Sequence, residues 1–438
     1  MLELFGSGLM TLWLEMAGVQ VKPLEAIDAL TWQTGPSLAI APDLNPVGAT
    51  TVQKYLEGLV KSKFIKPELI PNQGIWIQSG LMLIANHQGT TPLPAASITK
   101  IATSLASFNI LGPDFQFETL VSATGPISNG VLEGDLVVAG NGDPMLVWEE
   151  GIALGNALNK MGIKEVKGSL IVVGNFAFSF QRNPLLAGQV FKEGLNHTTW
   201  RRGVELHLAN MPKGTPKPKV VIKGDVKLAT TPPPGNVLIR HRSLPVKQII
   251  NEMNVFSNND IAQMLADAVG GHTVVQAEAA KLARVPQSEI QLINGSGLGV
   301  ENRISPRAAC AMIMALQRIA APHNMTISDM MPTAGYDSRG TTYARKMPKA
   351  TPFKTGTLRE VSALAGVLPT RDRGLVWFAI INRGPEVTAF RQEQDKFLKE
   401  LQKQLHAGPS FPKAIAPHST PKKLPEMGAE SRMEIVNR

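Results

Sequence analysis

A chain of 438 residues with 43% hydrophobic content is long enough to bury one large core or two ordinary ones, since domains run to ~100–200 residues. The single cysteine, Cys310, excludes a disulfide framework, and the eight histidines include no pair with zinc-ligand spacing, so neither a metal nor any other cofactor is expected. The formal charge of +9 favours anionic surroundings, but the lysines are dispersed without the aromatic interleaving that stacks bases; this reads as a solvated basic surface open to peripheral contact with membrane or wall polymers, with no nucleic-acid partner.

Residues 4–19 have the length and apolarity of a signal h-region, yet Glu3 stands where a basic flank belongs and Glu15 interrupts the run, which suits a packed amphipathic helix equally. Ile75-Trp76-Ile77-Gln78 and Met82-Leu83-Ile84-Ala85 flank Ser79-Gly80 and read as two strands joined by a tight turn. From Ser97, the residues Ile98, Ile101, Ala102, Leu105 and Phe108 recur with helical spacing until Gly112-Pro113 stops them. A middle block follows: strands at Asp135-Leu136-Val137-Val138 and Ser169-Leu170-Ile171-Val172-Val173, with a helix face at Leu154, Ala157, Leu158 and Met161 between them. The breaker Pro232-Pro233-Pro234-Gly235 marks a domain boundary. Two helical stripes come next, Val246/Ile249/Ile250/Met253 and Ile261/Met264/Leu265/Ala268, and Ser257-Asn258-Asn259 lies between them.

Cys310 falls in an apolar run that reads as buried helix, which makes it a packing residue. Residues 361–368 and 375–381 are β-rich and separated by Thr370-Arg371-Asp372-Arg373, a hairpin; Phe390, Phe397, Leu398, Leu401 and Leu405 then define a C-terminal helix. Residues 408–438, rich in Pro, Lys and Ser, are expected to be disordered. The organisation expected is a main unit in two segments, residues 1–122 and 240–407, with a small unit of residues 123–239 inserted between them.

Three short motifs carry the chemistry: Ser97-Ile98-Thr99-Lys100, Ser257-Asn258-Asn259 and Lys354-Thr355-Gly356. Each is weak alone, since average composition yields Ser-x-x-Lys about once by chance in a chain of this size; order and placement make them specific. Residues three apart share a helix face, so the Lys100 amine can reach the Ser97 hydroxyl, and lysine becomes a base if burial or a second cation such as Lys354 brings its pKa from ~10.4 toward neutrality. Taken singly, Ser97 reads as a helix cap and Lys100 as an exposed helix charge. Ser257 and Asn259, two apart on a loop, offer a hydroxyl for proton relay and an amide for a substrate carbonyl, although the same residues also suit a cap of the next helix. Lys354 and Thr355 offer a cation and a hydroxyl to a carboxylate, while Gly356 permits close approach of a substrate backbone.

With Gly142-Asp143-Pro144, Met253-Asn254, Gly295-Ser296-Gly297-Leu298 and Lys354-Thr355-Gly356-Thr357-Leu358 added, the sequence resembles the D-alanyl-D-alanine carboxypeptidase/endopeptidase family, the low-molecular-mass class C penicillin-binding proteins. The resemblance implies an α/β (α+β) transpeptidase-like, β-lactamase-like domain with a five-stranded antiparallel sheet, plus a small inserted α/β domain. It implies Ser97 as nucleophile, Lys100 as its base, Ser257 and Asn259 as relay and positioning groups, and Lys354, Thr355, Gly356 and Thr357 as the substrate-binding strand. The oxyanion hole would be the backbone N–H groups of Ser97 and Thr357. Peptidoglycan stem peptides and covalently bound β-lactams are the implied partners, and a periplasmic or cell-envelope location the implied place. Asn294 stands where the family usually has Asp, and Phe353, where a small residue is usual, is expected to narrow the cleft. A β-lactamase of the same superfamily, or a wall-binding protein with a retained but inactive fold, stays open as an alternative.

Overall fold

A computed structural model describes residues 40–342, 344–408, 411–418 and 426–436; the apolar stretch 4–19 lies outside them. The described chain opens with β1 (Ala41–Pro42) and α1 (Val47–Lys61), which buries Val52, Tyr55, Leu56 and Leu59 at helical spacing. The expected hairpin follows as β2 (Gly74–Ser79) and β3 (Met82–His87), with Gly80 supplying the left-handed turn residue at φ +52°. One 3-10 turn, Ala96–Ile98, leads into α2 (Thr99–Leu111), which Gly112 ends. Residues 99–108 of α2 are buried all round the helix, as befits an element at the centre of a fold rather than on its surface.

The second unit contains β4 (Glu118–Ala123), β5 (Leu136–Asn141), α3 (Trp148–Lys160), β6 (Leu170–Asn175), α4 (Pro184–Gly194), β7 (Val226–Ala229) and β8 (Asn236–Arg242). Strands β5, β6 and β7 are parallel neighbours, joined through helical crossovers, while β4 is antiparallel to both β5 and β8. β8 pairs with β4, so the breaker at residues 232–235 carries the chain from β7 back across this same sheet. A proline run marks where a strand must stop, and cannot say to which sheet the next strand returns.

The main unit resumes with α5 (Val246–Phe256), α6 (Asn259–Ala268), α7 (His272–Ala283) and α8 (Pro306–Ala320). It finishes with β9 (Phe353–Leu358), β10 (Val361–Pro369), β11 (Leu375–Arg383) and α9 (Val387–Gln404). Its sheet runs β1-β3-β2-β11-β10-β9; five strands are antiparallel, and β1 adds a two-residue parallel edge. One face packs Ala363, Ala365, Val367, Trp377, Ala379 and Ile381 against the cluster that holds α2, α5, α6 and α8. The other packs Leu364, Leu368, Val376, Phe378 and Ile380 against Phe390 and Phe397 of α9 and the buried side of α1. Covering both faces is why the central strands read as continuous apolar runs. Cys310 is buried, and burial pushes its thiol pKa up.

Among the described residues, 411–418 and 426–436 of the tail depart from the disorder expected of them. Ile415 is buried in the main core, with its carbonyl accepting from Ser328 Oγ at 2.6 Å, and β12 (Met433–Ile435) adds an antiparallel strand to β8. Composition is averaged over a segment, whereas isolated anchors such as Ile415 and Arg432 suffice to dock it.

Candidate active site

The turn that carries Ser97 is held in place by close approach. Ala96 sits at φ +48°, an uncommon conformation for a residue with a Cβ. A Cβ on Gly297 would lie 1.8 Å from the Ala96 carbonyl oxygen, and one on Gly356 2.8 Å from that of Ala95 and 2.9 Å from the Ser97 nitrogen. Two glycines therefore let a loop and the edge strand β9 close on the turn from either side.

Lys100 is the second residue of α2; its side chain is buried, and its Nζ lies 2.9 Å from Ser97 Oγ, 2.8 Å from Asn259 Oδ1 and 2.7 Å from the Ser296 carbonyl oxygen. Burial lowers its pKa from the ordinary 10.5 to about 7. Two of its three partners are amide oxygens that can only accept. A neutral Lys100 keeps its two N–H groups on those oxygens, and the remaining lone pair faces the Ser97 hydroxyl.

The second motif divides its labour. Asn258 caps α6, its side-chain oxygen accepting from the backbone of Asp260 and Ile261 at 2.9 and 3.0 Å. Ser257, the left-handed C-cap of α5, and Asn259 are thereby turned to the two lysines: Ser257 Oγ accepts from Lys354 Nζ at 2.9 Å, and Asn259 Oδ1 from Lys100. Lys354 itself is buried on β9 and also donates to the Thr355 carbonyl at 3.1 Å. Burial, and then the charge of Lys100, holds its pKa well below the ordinary value. The Lys100 shift comes from burial, so the second-cation explanation offered by sequence is not needed there.

Ser97, Ser257, Asn259, Thr355 and Thr357 meet along a cleft of about 920 Å³, above the two buried lysines, with Gly356 against the Ser97 turn. Phe353 does not narrow it: the side chain is buried in the cluster with Leu364 and Phe378 and does not line the cleft. Asn294 works behind the site, its Oδ1 accepting from the Ser296 and Gly297 backbone at 3.1 and 2.8 Å, and so fixes the carbonyl that Lys100 uses. Sequence reasoning missed the part played by that carbonyl, and missed Arg391, whose Nη2 donates to Thr357 Oγ1 at 2.6 Å. An arginine on a distant helix carries no local signal of this contact.

The model of the D-Ala-D-Ala carboxypeptidase 3 (S13) family matches residues 59–183 and 211–405, and so takes in all three motifs. The chain belongs to this family. Among curated relatives of the S13 chain, D-alanyl-D-alanine carboxypeptidase DacB of Haemophilus influenzae is 25% identical over 389 residues, spanning 67% of this chain and 80% of the relative. The D-alanyl-D-alanine carboxypeptidase of an Actinomadura species is 25% identical over 430 residues, 74% of this chain and 79% of that one. Among solved structures, Bd3459, a predatory peptidoglycan endopeptidase from Bdellovibrio bacteriovorus, superposes with a TM-score of 0.68 at 21% identity, covering 82% of this S13 chain and 98% of its own. Penicillin-binding protein 4 of H. influenzae gives 0.60 at 20% identity, covering 80% and 99%. These likenesses establish the penicillin-binding-protein fold for the S13 chain.

Proposed function

We propose that Ser97 is the acylated nucleophile of this chain and Lys100 the base that activates it. The enzyme is a serine-type D-Ala-D-Ala carboxypeptidase, penicillin-sensitive and acting on peptidoglycan, as its family membership and curated relatives carry. The observation behind the residue roles is the three-way anchoring of Lys100, which leaves its lone pair only the Ser97 hydroxyl. Ser97 would lose its proton to Lys100 as its oxygen attacks the carbonyl carbon of the penultimate D-alanine. The backbone N–H groups of Ser97 and Thr357 would hold the oxyanion. Ser257 would pass a proton to the leaving nitrogen, so that terminal D-alanine departs and water later releases the acyl-enzyme.

Thr355 and Lys354 would hold the carboxylate of the leaving residue. Burial holds the Lys354 pKa below its ordinary value, and an arriving carboxylate would favour the charged form and gain a charge-assisted contact. A β-lactam presents a strained amide beside a carboxylate and meets the same groups; Bd3459 has been solved in a penicillin G acylated form. We place the enzyme at the cell envelope, where its substrate lies; among the described residues, no helix is long and apolar enough to cross a membrane. Digestion of purified muropeptides followed by mass spectrometry should show loss of terminal D-alanine from pentapeptide stems. Pentapeptides left intact by folded protein would contradict the assignment.

A further inference from the structure

The cleft is much larger than one leaving D-alanine requires. Pockets of ~300–1,000 Å³ enclose drug-sized ligands, and this one measures about 920 Å³. From the serines it continues past the outer edge of β9 to Arg345, Lys346 and one face of α9. That far wall is cationic: Arg345, Lys346, Arg391, Lys396 and Lys399 line it, against a single lining carboxylate, Asp395. Asp395 is already engaged, accepting from Arg345 at 2.9 and 2.6 Å and from the Lys346 backbone at 2.8 Å, and Lys396 pairs with Glu393 at 2.7 Å. Among the described residues, no carboxylate pairs with Arg391 or Lys399. Arg391 is instead held in position by Thr357 Oγ1, two residues along β9 from Thr355.

We infer that this wall is a second anion subsite, which takes a remote carboxylate on the leaving half of a cross-linked stem peptide. The inference rests on the reading of the chain as a peptidoglycan D,D-peptidase. A departing D-alanine ends at the carboxylate that Thr355 would hold and has no other charge to offer. A departing cross-linked stem continues from its diamino acid into a glutamate joined through its side chain, whose α-carboxylate is free and lies several bonds beyond the scissile nitrogen. The uncompensated charge of Arg391 and Lys399 draws that group in, and the volume accommodates the chain that carries it. Cross-linked stems are therefore the substrates that use the whole cleft.

The test uses two synthetic cross-linked dimers that differ only in that glutamate carboxylate, free in one and amidated in the other, with the carboxylate beside the scissile nitrogen intact in both. Wild-type kcat/KM should favour the free acid by about 10-fold, the low end of a charge-assisted contact because the wall is partly open to water. The preference should shrink as salt is added and fall toward one in Arg391→Gln/Lys399→Gln. Equal cleavage of both dimers by wild type overturns the subsite, as does a preference that survives the double substitution. Should that variant not fold, the wild-type comparison and Lys399→Gln alone still decide. Penicillin acylation and D-alanine release from linear pentapeptide report separately on the underlying reading: with both present, equal dimer rates remove only the subsite, and with both absent the reading and the subsite fall together.

Discussion

If Lys100 is the base, as proposed, its environment sets a pH signature. With a pKa of about 7 in the folded enzyme, the free-base form accumulates as pH rises through that value. Acylation should climb across about pH 6 to 8 and then level, and a profile flat through neutrality would contradict this. Lys100→Ala should lose at least ~10²-fold in acylation rate together with the pH step, and Ser257→Ala a similar factor. The double variant should lose much less than the product of the two, because groups that act as a unit are non-additive. The same shift bears on stability: between about pH 7 and ~10.4 the unfolded chain binds the proton that the folded lysine has released, so stability rises with pH across that window and the contribution is lost below it. Urea titrations at pH 7 and pH 9 should show this rise in wild type, and a smaller one in Lys100→Met.

Elements meet at points where a few atoms decide the fit. Gly297 touches the Ser97 turn so closely that Gly297→Ala must displace Ala96, and acylation should fall at least ~10-fold if transition-state donors need sub-ångström placement. Normal acylation by that variant would show the turn to be more tolerant than its contacts imply. The tail depends on a buried carboxylate: Glu150 accepts from Arg432, from the Gly428 backbone at 2.9 Å and faces His241 Nε2 at 2.9 Å. Burial raises the Glu150 pKa, but the His241 bond and the charges of His241 and Arg432 outweigh it and leave the carboxyl below its usual range. Arg432→Ala should cost about 1–3 kcal/mol of stability by removing one of these partners, and an unchanged denaturation midpoint would discount the contact.

At the scale of the whole molecule, what could be read from sequence was what is local. The hairpin at residues 74–87, helix α2, the β10–β11 hairpin and helix α9 follow from periodicity and breakers, and the three motifs lie on the elements expected of them. Bringing Ser97, Ser257 and Lys354 together needs chain closure over more than one sheet, and only the family resemblance supplied that. What stayed hidden was long-range: the return of β8 to the second sheet, the docking of Ile415 and Arg432, the burial of Phe353 away from the cleft and the reach of Arg391 to Thr357. No residue in those contacts differs in type from thousands that do nothing similar. Peptide mapping of the penicillin-treated protein tests the proposed nucleophile, Ser97, most directly. A single stoichiometric adduct on Ser97, absent from Ser97→Ala, is the predicted result; an adduct on another residue, or none on folded protein, would contradict it.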